Sequence, residues 1–122
     1  MLPAPHRLHR STDIQSVRQS GKRWHNPLAT LYVLANQQDV SRFAFVASRR
    51  VGNAVQRNRV KRLWREVTRH HLPQMKPGWD CVLVARDKTA QVSYQELLAA
   101  ASQLFRQAHL LPAAADKGVT GP

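Results

Sequence analysis

Residues 81–85 read Cys-Val-Leu-Val-Ala, an unbroken apolar run of strand length. A strand with one wet face alternates polar and apolar residues, so a continuously apolar one is covered on both faces. The chain must therefore place layers on either side of that strand. Two further stretches favour strands. Leu28 to Ala35 (LATLYVLA) is rich in β-favouring apolar residues. Arg42 to Ser48 (RFAFVAS) sets Phe43, Phe45 and Ala47 on one face by strict alternation. The polar Asn36-Gln37-Gln38-Asp39 between them predicts a turn, and with it a hairpin.

Helix starts are marked by capping patterns. Thr12-Asp13-Ile14-Gln15 has the form of a capping box that opens a short helix, with Ile14 and Val17 inward and Gly21 at its end. Asn53, with Gln56 three residues on, starts a second helix that runs to about His71, before Pro73. Ser93-Tyr94-Gln95-Glu96 opens a third, in which Leu97, Leu98, Ala101, Leu104, Phe105 and Ala108 recur at helical spacing. The order is α-β-β-α-β-α, with room for an extra short strand near Trp24. This is an α/β (α+β) two-layer sandwich around a small mixed sheet. Residues 1–10 predict a flexible basic arm, 11–111 one folded domain, and 112–122 a disordered tail.

Charge narrows the function. Nineteen Lys plus Arg, mostly Arg, stand against seven Asp plus Glu, a net charge of +12 on 122 residues. So lopsided a balance points to a polyanionic partner, and Arg favours phosphate because its planar fork binds bidentately. No apolar stretch approaches the roughly 20 residues of a membrane span. The start, MLPAPHRLHR, lacks a signal peptide's apolar core, which predicts a cytoplasmic protein. A single cysteine, Cys81, excludes an internal disulfide and a multi-cysteine zinc site.

The charge is concentrated. Arg49, Arg50, Arg57, Arg59, Lys61, Arg62, Arg65 and Arg69 fall within 21 residues that hold one acid, Glu66. At about 100° per residue, Val60, Leu63, Trp64 and Val67 form a core stripe. Arg57, Lys61, Arg65 and Arg69 make an i, i+4 row on the other side, flanked by Arg59 and Arg62, with Asn58 among them. Like charges at this spacing cost a few tenths of a kcal/mol per pair. An ordinary solvated face mixes its signs. This row asks for phosphates. A second basic group, Arg7, Arg10, Arg18, Lys22 and Arg23, is opposed only by Asp13 and serves equally well as an RNA-ordered arm or a soluble terminus.

Bases of a single strand need exposed aromatic or guanidinium planes. Tyr32 can point out of the core; Phe43 and Phe45 share a face with Ala47 and suit ordinary core. Trp64 and Phe105 lie on helical core stripes, and Trp79, just ahead of the buried strand, fits either role. Catalysis by the protein finds little support. His70 and His71 are adjacent, so they point about 100° apart and cannot share a metal. Glu66 and His70 lie one turn apart without a third ligand, the acids are scattered, and Cys81 sits in an apolar strand. No catalytic or metal-binding residue is assigned.

The stretch SRRVGNAVQRNRVKRLWRE, Ser48 to Glu66, closely resembles the signature of the bacterial ribonuclease P protein component. Weaker similarity covers most of Ser11 to Leu111. The resemblance implies a subunit that binds a catalytic RNA and the single-stranded 5′ leader of precursor tRNA, while RNA-bound magnesium cuts the leader away. By position it implies that Arg57, Asn58, Arg59, Lys61, Arg62 and Arg65 form the basic helix that lies against RNA; Arg49, Arg50, Asn53 and Arg69, from the same basic stretch, complete the RNA-binding candidates. It also implies a left-handed β-α-β crossover, against the right-handed rule, and a leader cleft between the first helix and the sheet. Candidates there are Ile14, Arg18, Tyr32, Phe43 and Phe45. Ile14 and Arg18 stand where Phe is common, so Arg18 would contribute its guanidinium plane or its charge. A small basic ribosomal protein is the main alternative, a major-groove DNA binder the next. A free-standing nuclease would have to act without RNA. No obligate homo-oligomer is expected.

Overall fold

The computed structural model describes residues 2–112. In chain order the elements are α1 (Ser11–Ser20), β1 (Lys22–His25), β2 (Ala29–Ala35), β3 (Arg42–Ala47), α2 (Ala54–His71), β4 (Trp79–Ala85) and α3 (Tyr94–Gln107), with short 3₁₀ turns at Ala4–His6, Leu72–Gln74 and Asp87–Gln91. The extra strand near Trp24 is β1. The four strands form one mixed sheet in the order β1-β2-β4-β3, with β4 antiparallel to β2 and parallel to β3.

That order corrects the expected hairpin. β2 and β3 do not pair, because the continuously apolar β4 lies between them and shares hydrogen bonds with both. The connection from β2 to β3 arches over the start of β4 and is tied there by polar groups. Asn36 Nδ2 donates to Val40 O and to Asp80 Oδ1, and Ser41 Oγ donates to Lys76 O at 2.6 Å. Asp80 also accepts both arms of Arg42, at 2.8 and 2.6 Å. A turn built from Asn36-Gln37-Gln38-Asp39 thus spans a strand rather than closing a hairpin.

The sheet's two faces are covered unequally. Ala29, Leu31 and Val33 of β2, Phe43 of β3, and Cys81, Leu83 and Ala85 of β4 bury against Val60, Trp64 and Val67 of α2 and Leu97, Ala101, Leu104 and Phe105 of α3. A fully buried large apolar side chain contributes roughly 1.5–3 kcal/mol by leaving water, so this layer carries most of the stability. The opposite face holds a smaller cluster of Leu8, Val17, Ala44 and Val82, with Ile14, Tyr32, Leu34, Val46 and Val84 partly covered. One ten-residue helix, α1, is too short to close that face.

Two local expectations fail at the N-terminus. The Thr12 capping box is not made: α1 starts at Ser11, its N-cap is Arg10, and no side chain caps it. The chain enters the helix from an already anchored segment, which sets the start two residues early. Residues 2–10 are also not a flexible arm. Leu2 and Leu8 are buried, Leu8 N–H donates to Phe43 O at 2.9 Å, and His6 Nδ1 lies 2.8 Å from Ser41 O. Gly21 ends α1 with extended rather than left-handed backbone. A Cβ there would sit 2.6 Å from Val17 O and 2.8 Å from Val33 O, so glycine is required by the close approach of helix end and β2. The proposed tail lies outside the described residues apart from Pro112.

Candidate nucleic-acid interface

The turn after β3 and the first turn of α2 form a compact basic unit. Asn53 accepts from Gln56 N–H at 2.9 Å and Gln56 Oε1 accepts from Asn53 N–H at 2.9 Å, the reciprocal capping box read from sequence. Gly52 has φ +149°, and a Cβ there would fall 2.0 Å from Gln56 Oε1. Glycine therefore lets the capping side chain reach back. Arg57 donates from Nη1 to Gly52 O at 2.8 Å, which fixes its guanidinium over the turn. Arg49 and Arg50 are exposed beside it.

The helix is rotated from the arrangement read by spacing. Its buried stripe includes Thr68 and His71 along with Val60, Trp64 and Val67, while Leu63 is only half-buried. The stripe's centre thereby moves, and Arg57, Lys61 and Arg65 come to lie half-buried on its flank. The exposed crest is Asn58, Arg59, Arg62 and Arg69. Arg69 Nε lies 3.4 Å from Glu66 Oε1, a loose i, i+3 pair. The flanking cations cover apolar surface with their stems, and the crest meets solvent.

The leader candidates divide between the two faces. Tyr32, Ile14 and Arg18 come together on the α1 side, with the Arg18 guanidinium 5.8 Å from the Tyr32 ring centroid. At an exposed site such a contact contributes about 0.5–1 kcal/mol and holds two flat groups side by side. Phe43 and Phe45 point the other way. Phe43 is 3% exposed and meets Phe105 edge-on at 6.2 Å, so it is core and not a base platform. Phe45 packs partly against the same core and also borders a cavity of about 330 Å³ at the β3 edge, with Ile14, Arg7, His9 and Arg65 around it.

A larger cleft, about 790 Å³, opens at the end of the sheet. His25, Ser48, Arg50, Arg86 and Gln103 line it together with Asp87. Asn26 organises it: Nδ2 donates to Gln103 Oε1 at 3.1 Å and to Ala100 O at 3.2 Å, and Oδ1 accepts from Leu28 and Ala29 N–H. With its carbonyl oxygen engaged, Gln103 keeps its amide N–H groups as donors. Sequence reasoning missed His25, Arg86, Gln103 and His9, and had Arg7 only as part of a basic arm. Each is unremarkable in its own window, and only the fold brings the first three, from separate segments, beside Ser48 and Arg50.

Burial pushes the Cys81 thiol up, with Asp80 adding to the effect, so it is no nucleophile. Among the described residues no three His, Cys, Asp or Glu side chains converge as metal ligands, and no helix is long and apolar enough to cross a membrane.

The family model described as Ribonuclease P matches residues 2–109. The ribonuclease P protein component of Roseiflexus sp. (strain RS-1) is 37% identical over 114 residues, covering 93% of each chain. That of Chloroflexus aurantiacus (strain J-10-fl) is 38% identical over 116 residues, covering 94% of this chain and 86% of its own. The solved RNase P protein of Thermotoga maritima superposes with a TM-score of 0.77 at 27% identity, over 83% of this chain and 96% of its own. The Staphylococcus aureus RNase P protein gives 0.80 at 23% identity, over 87% and 97%, a likeness of fold.

Proposed function

The chain belongs to the ribonuclease P protein family, and from that premise we propose that it binds the catalytic RNA through α2 and the 5′ leader of precursor tRNA through the α1 side of the sheet. The observation that carries this reading is the exposed crest of Asn58, Arg59, Arg62 and Arg69, in which Glu66 is the one acid, continued by Arg49 and Arg50 at the helix start. Such a surface gains affinity by releasing counterions from phosphates. The half-covered α1 face supplies the complementary feature, a flat Tyr32–Arg18 pair suited to an unpaired base and its backbone. The clefts at the β3 edge and sheet end extend that face with further donors, from Arg7 and Arg65 to Arg86.

The protein's part in cleavage is electrostatic. Catalytic RNA and precursor tRNA repel each other, and a chain of +12 between them lowers that repulsion. Magnesium on the RNA would supply Lewis acid and hydroxide; among the described residues the scattered carboxylates do not form a site that fits the ion. The side chains bind and orient the RNAs, and no protein acid, base or nucleophile is invoked. No observation favours the ribosomal or duplex-DNA readings.

Cleavage of a 5′-extended precursor tRNA at low magnesium tests it, using the chain, bacterial ribonuclease P RNA, or both. Product only with both supports the proposal. A silent mixture, with RNA folding and protein binding verified, overturns it, as does cleavage by RNA-free protein.

A further inference from the structure

An apolar cavity of about 380 Å³ lies on the α3 side, along the β1 edge, and plays no part in the interface described above. Sheet order puts it at the edge opposite β3, the strand on which α2 packs. Register explains how it forms. On that face Lys22 neighbours Val33, Trp24 neighbours Leu31, and Ala35 neighbours Trp79. Val33 and Ala35 supply small floor residues, the two indoles stand at either end, and the turn that follows α3 closes one side with Ala108 and His109.

Three properties select a ligand. The volume lies in the range of small-ligand pockets, roughly 300–1,000 Å³. Trp79 is 36% exposed, one of three large hydrophobic side chains left exposed among the described residues, although its strand could have drawn it inward. Aromatic faces of this kind stack on any nucleobase. The polar lining is Ser20, Lys22 and His109, with no carboxylate among them. An apolar recess whose only unambiguous charge is a cation suits a flat aromatic group that carries a phosphate.

We propose that this pocket takes one unpaired nucleobase of a bound RNA against Trp24 and Trp79, with the adjoining phosphate at Lys22. It would give the chain a second grip on RNA at the far edge of the sheet from α2. The inference rests on the RNA-binding role proposed above, at a separate site.

The chain has three tryptophans, so its three indole N–H signals can be followed individually by nuclear magnetic resonance and assigned by substitution. Full-length protein is titrated with adenosine monophosphate and then with a short single-stranded RNA. Saturable shifts at Trp24 and Trp79, with Trp64 in the closed core unmoved, are expected. Trp79→Ala should weaken the response at Trp24 about tenfold, and Lys22→Ala should weaken it and flatten its salt dependence. An unchanged Trp64 signal in each variant verifies the fold. The proposal is overturned if both indoles stay still at saturation, if Trp79→Ala binds as wild type does, or if the shifts follow protein concentration and so report a second copy. It is equally overturned if deletion of residues 113–122 alone moves both signals, since the chain's own tail would then be the occupant. The same samples titrated with ribonuclease P RNA separate the two readings. Movement of α2 amides with still indoles removes only this pocket, whereas still α2 amides remove the RNA-binding role beneath it.

Discussion

The two faces of one sheet end in opposite states although the same strands build them. Toward α2 and α3, β2 presents Ala29, Leu31 and Val33, all buried; toward α1 it presents Thr30, Tyr32 and Leu34, all half-buried. Alternation alone would make either face a core. Area decides: eighteen-residue and fourteen-residue helices close one side, and a ten-residue helix leaves the other ajar. The open face has too little cover to be a core and enough to hold Tyr32 and Arg18 in a fixed relation. A candidate binding surface arises here as the part of an apolar layer that its helix fails to reach.

Breaking the closed face should give the largest effect. Trp64→Ala empties a fully buried site and should cost about 3–5 kcal/mol, read as a lower urea midpoint at unchanged slope; a loss under about 1 kcal/mol would mean that the layer is not closed. Phe43 and Tyr32 sharpen the contrast because they flank β4 on opposite faces of the sheet. Phe43→Ala should cost about 3 kcal/mol of stability and leave the dependence of substrate affinity on the leader intact. Tyr32→Ala should do the reverse, weakening holoenzyme binding of leader-bearing precursor by about 1–3 kcal/mol while leaderless tRNA binds as before. Equal losses for both substrates would detach Tyr32 from the leader.

The basic helix offers a gentler comparison. Removing Arg59, Arg62 and Arg69 together should lower the salt slope of ribonuclease P RNA binding by roughly 0.9 for each phosphate that is no longer neutralised, with stability nearly unchanged because all three are exposed. The half-buried Arg57 and Lys61 should add a stability cost to a similar change in slope. The smallest effect is expected at Arg18. Arg18→Ala should reduce the salt slope of leader binding by about 0.7, the single-strand value, and identical slopes would remove that residue from the cleft.

Short-range signals are readable in the sequence and long-range ones are not. The Asn53–Gln56 and Ser93–Glu96 boxes form because both partners lie within one turn and no other interaction competes. Thr12 and Gln15 show the same pattern and fail, since the pairing of Leu8 with Phe43 fixes where the chain enters α1. Nearness along the chain suggests a hairpin between β2 and β3. The apolar run of β4 already holds the contrary sign, because a strand covered on both faces belongs in the middle of a sheet. Leu2 and Leu8 escape notice as anchors because an isolated leucine in a polar segment has no period to reveal it.

By itself the sequence determined the residue types and the local geometry: an Arg-rich, acid-poor helix, its cap, the apolar strand, and a motif specific enough to indicate the family. Those depend on neighbours within a few residues and on net charge, which folding cannot change. Only the tertiary structure decided which cations form the crest of α2, which aromatics face away from the core, and that His25, Ser48, Arg50, Arg86 and Gln103 share one cleft. Those outcomes depend on the helix rotation and strand order that bury the most apolar surface over the whole chain, and no window of sequence contains that sum.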